Sequence, residues 1–297
     1  MPVLSPAEGA LTVLAPGKLV LVGEYAVLDG APAIVAAVDR GVRCAVSPGD
    51  AVETPADDRF ARAALVAIGA PARRYTFSDW NPVSLREGKA GFGGSAAACV
   101  AAVVAGRLAA GLAPTADDAA LARRVHHEVQ GSGSGVDVLA SWFGGVRRFE
   151  GLHHSPLPAR RLVAVYSGQS ASTGPRVQRY LQWSGREAFA VESAALCELF
   201  AVDPLAALRA GFLLLCSMAR AAGLAYETPG LQRIIDLATS YGGAAKPSGA
   251  GGGDVAVAMF SEPEAEAAFC VACAAEGLPP IPVTIAPGAA ASALSEP

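Results

Sequence analysis

The stretch at residues 88–104, GKAGFGGSAAACVAAVV, decides how the chain is read. Gly91, Gly93 and Gly94 stand directly before an unbroken run of small apolar residues. Two arrangements fit. One is a tight turn packed against a neighbour; the other is a loop whose bare backbone N–H groups hold an anion at a helix N-terminus. No GK[ST] follows the glycines, so this is not a Walker A loop. The preceding SDWNPVSLREGKA is not the β-rich strand that a dinucleotide fingerprint requires. Ser95, at the start of the helix, could cap it or offer its hydroxyl to a cation.

Two further glycine-rich segments lie far away along the chain. In APGKLVLVGEYAVL (residues 15–28), Lys18 opens an apolar strand bracketed by Gly17 and Gly23. Its ammonium could project into a cleft and neutralise phosphate charge. In KPSGAGGGD (residues 246–254), the glycines let the chain pass close to a ligand before the strand VAVAMF. A glycine turn at residues 131–135, GSGSG, precedes a helix predicted over residues 136–143.

Periodicity predicts strands at residues 12–14 and 18–22, at 33–38 and 42–46, and at 146–149. Residues 75–85 read as irregular or extended. Helices are predicted over 56–68, 95–112 and 116–129, the last capped by Thr115 with Asp118 as a capping-box partner. The polar, proline-bearing LHHSPLPAR (residues 152–160) is the best domain boundary. Beyond it come a strand at 162–166 and helices at 175–183, 186–202, 204–223 and 230–241. A strand at 255–260, a helix at 262–277, a strand at 281–285 and a loose tail after Pro287 follow. Strands and helices mix without strict alternation, which predicts an α+β fold.

Composition narrows the function. Hydrophobic residues make up 52% of the 297 and charged residues 17%, enough for a large core. A net charge of −4, with basic residues no denser than doublets such as Arg123-Arg124, argues against a nucleic-acid surface. The doublets read as solvated element ends. No signal peptide is evident, and the most apolar stretches, residues 96–106 and 212–218, are too short to span a bilayer. Six scattered cysteines in apolar surroundings read as reduced core thiols of a cytoplasmic protein.

PGKLVLVGEYAVL, GKAGFGGSAAA and KPSGAGGGDVAVA resemble, in order and approximate spacing, the three motifs of the GHMP kinase superfamily (galactokinase, homoserine kinase, mevalonate kinase, phosphomevalonate kinase). The resemblance covers nearly the whole chain. GEYAVL and GAGGGD point to the mevalonate and phosphomevalonate branch. GSGSGVDVLASWFGG and SGQSAST look more like the phosphomevalonate kinases. The resemblance implies a two-domain fold with the active site between the domains. Residues 1–155 would form an ATP-binding domain like the second domain of ribosomal S5, and residues 156–297 a ferredoxin-like domain. In one departure, the usual GLGSSA reads Gly91-Phe-Gly-Gly-Ser-Ala96, so Gly94 replaces the first serine while Ser95 keeps the second hydroxyl.

By the same resemblance, ATP phosphates sit on the N–H groups of Gly91, Phe92, Gly93, Gly94, Ser95 and Ala96. Asp137 is the catalytic aspartate, and Lys18 stabilises the transferring phosphoryl group. Ser95 and Glu128 are the implied Mg²⁺ ligands. Glu24, Tyr25, Ser132, Ser134, Lys246, Ser248, Gly249, Ala250 and Gly251 are the implied acceptor contacts. A physical clue concerns the acceptor: Ser170, Ser172 and Thr173 gather hydroxyls at another helix N-terminus beside Arg176, a second anion site that a phosphorylated acceptor requires. The expected reaction is ATP-dependent phosphorylation of (R)-5-phosphomevalonate to the 5-diphosphate in isoprenoid biosynthesis. The alternatives are phosphorylation of (R)-mevalonate at its 5-hydroxyl, and a non-catalytic ligand sensor on the same scaffold. The expected partners are ATP and a small phosphorylated acid, with neither nucleic acid nor membrane. Monomer and homodimer both stay open.

Overall fold

The computed structural model describes residues 11–55, 57–83 and 91–292. In chain order the first half comprises β1 (Leu11–Val22), a 3-10 turn (Ala26–Asp29), β2 (Ala33–Ser47), β3 (Ala51–Glu53), α1 (Arg59–Ala67) and β4 (Arg74–Trp80). Then come α2 (Gly94–Ala109), α3 (Ala116–Gln130), α4 (Val136–Phe143), β5 (Val146–Glu150) and β6 (His153–Leu157). The second half comprises β7 (Val163–Tyr166), α5 (Thr173–Leu181), α6 (Arg186–Val202), α7 (Pro204–Ala222), α8 (Pro229–Ser240) and β8 (Ala244–Pro247). It ends with β9 (Val255–Met259), α9 (Pro263–Ala275), β10 (Pro280–Pro282) and β11 (Ala290–Ser292).

Two sheets carry these elements. The first has the order β11-β1-β2-β4-β3, with β5 pairing β2 and β6 pairing β5; the second has the order β10-β7-β9-β8. The chain passes from one to the other between Leu157 and Val163. Strand β2 is long enough to pair with β5 near its start and with β4 near its end. In β1, alternation decides what faces what. Leu19 and Leu21 join Ala164, Tyr166, Val255 and Val257 in the core between the two sheets. Lys18 and Val20 point to the opposite face, where Val20 packs with Val136, Leu139 and Ala140 of α4.

Helix α2 is apolar all round, as a helix buried on every side must be. Residues 96, 97 and 99–106 are all buried between the first sheet and α1, α3 and α4. The expected capping box forms: the Thr115 N–H donates to Asp118 Oδ2 at 2.9 Å. Asp118 also accepts from Arg107 at 2.6 Å, which ties α3 to α2. Helix α7 is the one described helix long and apolar enough to cross a membrane. It packs on α6 and β8, with Leu208, Leu215 and Met218 buried.

Several expectations need correction. The paired short strands are continuous β1 and β2, with bulges absorbing the glycine at position 17. Of the segment read as irregular or extended, residues 75–80 are extended in β4, whose Tyr75 and Phe77 face the core, and residues 84 and 85 lie outside the described residues. The polar segment 153–157 is an edge strand, not a loop; its exposed residues and Pro156 suit an edge that water reaches. The tail after Pro287 returns to the first sheet, where Ala290–Ser292 pairs with β1. The predicted helix at 56–68 begins at Arg59, and Ala56 lies outside the described residues.

Candidate active site

The first two glycine motifs lock together at Lys18. The β1 bulge lets the Lys18 N–H donate to Phe92 O at 2.8 Å. A Cβ at Gly17 would lie 1.9 Å from Arg40 O and 2.7 Å from Phe92 O, so only glycine admits this approach. The Lys18 ammonium donates to Gly91 O at 3.3 Å. Its stem lies 3.2 Å from where a Gly93 Cβ would be, and Nζ lies 3.7 Å from the same point on Gly249. One cation thus sits where the first, second and third motifs meet. The Phe92 ring is buried between the sheets, so only its backbone faces this loop.

Helix α2 starts at Gly94 with Gly93 as N-cap in the left-handed region, and no side chain caps it. Its first N–H groups therefore point outward without a partner from the helix itself, at the positive end of the helix dipole. This arrangement can hold a phosphate directly beside the Lys18 ammonium.

Behind the head of α2 lies a polar cluster. Ser95 Oγ is 3.2 Å from His126 Nε2. His126 is 2% exposed. Burial pulls its imidazole below the usual histidine range, and the nearby Asp137 charge opposes that pull. Burial also pushes the Cys99 thiol up to about 12, with Asp137 adding to the rise. Asp137 thus sits in the first turn of α4 within electrostatic reach of both α2 and α3. Its Oδ1 accepts from the Val138 N–H at 3.2 Å. Among the described residues Lys18 and Asp137 form no ion pair; they stand on elements that pack together, β1 and α4.

The turn before Asp137 borders a cleft of about 220 Å³, lined by Gly133, Ser134, Val136, Arg123, Val27 and Leu28 among others. Arg123 Nε donates to Ser134 O at 2.9 Å and fixes the turn. Ser132 and Ser134 are half-buried here, with Ser134 Oγ accepting from the Val136 N–H. Arg123 was expected at a solvated helix end; it forms part of this cleft instead.

The third motif does not behave as expected. Lys246 is 0% exposed and forms an ion pair with Glu24, itself 5% exposed. The ammonium also donates to Pro247 O at 2.9 Å and approaches Val20 O at 3.5 Å. Burial drives its pKa below the usual lysine range, and Glu24 counteracts this. Ser248 Oγ accepts from the Val20 N–H at 2.8 Å. Ala250 O accepts from the Tyr25 hydroxyl at 2.6 Å. A Cβ at Gly251 would lie 2.1 Å from the Tyr226 ring. Lys246, Ser248 and the Ala250 carbonyl therefore make contacts that join the two sheets, and Lys246, buried against Glu24, does not reach out to an acceptor. Gly249 stays near Lys18. Tyr25 holds a strained backbone, with φ 63, of the kind that concentrates at functional sites.

The expected second anion site is half filled. Ser170, Ser172 and Thr173 are exposed at the start of α5. Arg176 donates to Ser172 O at 2.7 Å. However, the Ala171 N–H donates to Asp254 Oδ1 at 3.1 Å, so a carboxylate of the third motif already occupies one donor.

For a cation the donor set is sparse. Glu128 is exposed, and two residues along a helix put it about 200° round from His126, which faces Ser95. It cannot share a ligand with Ser95, which corrects that pairing. Among the described residues no three His, Cys, Asp or Glu side chains gather as a metal site. Mg²⁺ keeps waters and takes phosphate oxygens beside one or two protein oxygens. Ser95 and Asp137, flanking His126, fit a cation carried in by a nucleotide, not one caged by the protein.

The residues missed from sequence are His126, Arg123 and Asp254. His126 shares the buried face of α3 with Ala119, Ala122 and Val125. A polar residue on an apolar stripe is the signal that could have found it.

Comparison with known proteins agrees with this fold. The GHMP kinases N terminal domain matches residues 86–145, and the GHMP kinases C terminal domain matches residues 205–276. A phosphomevalonate kinase from Streptomyces sp. (strain CL190) is 30% identical over 83% of this chain and 88% of its own length. A mevalonate kinase from Archaeoglobus fulgidus is 28% identical over 89% of this chain and 97% of its own. The crystal structure of the Lin0012 protein from Listeria innocua superposes with a TM-score of 0.86 at 21% identity, covering 96% of this chain and 99% of that one. Both glycine loops, the open head of α2 and the α+β architecture thus have one origin: the chain belongs to the GHMP kinases, phosphotransferases that take their phosphoryl group from ATP.

Proposed function

We propose that this chain transfers the γ-phosphoryl group of ATP to the phosphate of (R)-5-phosphomevalonate, giving the 5-diphosphate and ADP. The observation that carries the kinase chemistry is Lys18, held at 3.3 Å from Gly91 O beside the uncapped head of α2. The N–H groups of residues 91–96 receive the nucleotide phosphates. Lys18 neutralises charge that develops on the transferring group. Asp137 orients the attacking phosphate oxygen and takes a proton from it where one is present. That oxygen forms the new bond to the γ-phosphorus as the bond to the β-phosphate oxygen breaks. Mg²⁺, when bound with the nucleotide, supplies charge neutralisation on the phosphates.

The phosphorylated acceptor is favoured by the similarity to the Streptomyces phosphomevalonate kinase and by the exposed Ser170, Ser172 and Thr173 beside Arg176. Ser134 lines the cleft, and Ser132 lies two residues before it in the same turn. We read the residues up to the end of β6 at Leu157 as the nucleotide half, two residues beyond the boundary expected at 155, and those from β7 onward as the acceptor half, with β11 crossing back to the first sheet. Six free thiols and the use of ATP suit a cytoplasmic enzyme. Phosphorylation of (R)-mevalonate has one specific observation in its favour: the Asp254 carboxylate beside Ser170 would repel an acceptor phosphate. Steady-state kinetics with MgATP and each acceptor separates the two. The proposal expects the higher kcat/KM for 5-phosphomevalonate; faster turnover of mevalonate refutes it.

A further inference from the structure

His126 has no role in the chemistry described so far, yet it touches the loop that meets the nucleotide. It is turned inward by α3, stacked on Phe60 with ring centres 4.9 Å apart, and set 3.2 Å from the Ser95 hydroxyl. An imidazole taken out of water needs a hydrogen-bond partner, and Ser95 is the side chain that the fold supplies. Ser95 in turn is the only hydroxyl in Gly91–Ala96. Its neighbour Gly94 has nothing within 4 Å of a would-be Cβ, so no other side chain steadies the head of α2 from that side. No capping bond sets the Ser95 rotamer. Among the described residues, the group that does is His126.

We infer that His126 is a positioning residue for the nucleotide: it fixes the Ser95 hydroxyl so that this oxygen, together with the free N–H groups of α2, meets the terminal phosphates. The inference rests on the kinase reading but not on which acceptor is used. It also accounts for how the loop works with Gly94 where the family pattern has serine. One hydroxyl held rigidly by a buried ring replaces a pair of adjacent hydroxyls.

The test is equilibrium binding of Mg·AMPPNP, a non-hydrolysable ATP analogue, to the full chain by calorimetry. His126→Phe keeps the aromatic packing and removes the hydrogen bond. It and Ser95→Ala should each weaken binding about tenfold, the usual consequence of losing one hydrogen bond. The double variant should bind no more weakly than either single one, because both remove the same interaction. In turnover, KM for ATP should rise while KM for the acceptor stays put. Should His126→Phe fail to fold, His126→Gln and His126→Asn carry the same comparison. The glutamine amide reaches the position of Nε2 and should bind near wild type, whereas the asparagine stops short and should bind about tenfold more weakly. Wild-type affinity in His126→Phe, losses that multiply in the double variant, or asparagine outperforming glutamine would each overturn the inference. A wild-type chain that binds no AMPPNP at all would instead overturn the kinase reading beneath it.

Discussion

The glycine loops at residues 91–94 and 249–253 look alike in sequence and do opposite work. At the first, a Cβ on Gly94 would meet nothing within 4 Å, and the helix that follows is uncapped. At the second, a Cβ on Gly251 would strike the Tyr226 ring at 2.1 Å and one on Gly252 would strike Arg176 at 1.9 Å. The first loop is closed at its start, where a Cβ on Gly91 would lie 2.6 Å from Asp254 Cβ, and open at Gly94, where the helix begins. The second omits side chains so that protein can close on it: Tyr25 donates to Ala250 O, the Gly252 N–H donates to Tyr226 O, and Gln169 donates to Gly252 O. The head of the first loop presents free N–H groups beside Lys18, and the second loop interlocks the two sheets. Glycine content alone does not separate these uses; what surrounds the missing Cβ does.

The contrast can be broken at either loop. The largest effect is expected beside the open one. Asp137→Asn should lower kcat by roughly 10²–10⁴, the range for loss of a general base, with the melting temperature unchanged. A smaller but structural effect is expected at the closed loop. Gly251→Ala should cost about 1–3 kcal/mol in urea unfolding, because the added methyl meets Tyr226 and the backbone is left-handed, with φ +69. The matching change at the open loop, Gly94→Ser, should stay within about 0.5 kcal/mol of wild type, as ordinary surface substitutions do. If Gly94→Ser proved the more destabilising of the two, the assignment of open and closed loops would be reversed.

Local signals in the sequence located the helices well. The apolar run after Gly94, the Thr115–Asp118 box and the α4 span of residues 136–143 all rest on contacts within a turn or two. What escaped depends on distant pairing. His153–Leu157 carries little apolar pattern because it is an edge strand, and Ala290–Ser292 is a strand only because β1 offers it an edge. The fate of Lys246 was hidden for the same reason: a lysine beside glycines reads as a ligand contact until Glu24, over two hundred residues away, is seen to claim it. Lys18 and the head of α2 were legible because their glycines mark the close approach on both sides. The family resemblance implied Glu128 as a carboxylate ligand from the helix before the glycine turn, whereas helical phase places His126, not Glu128, toward Ser95.

Amide hydrogen exchange with and without Mg·AMPPNP tests the central claim most directly. The account predicts slowed exchange at residues 93–96, where the open N–H groups receive phosphate, and little change at Gly252, whose N–H already donates to Tyr226 O. Protection confined to Gly252, with residues 93–96 unaffected, would contradict it.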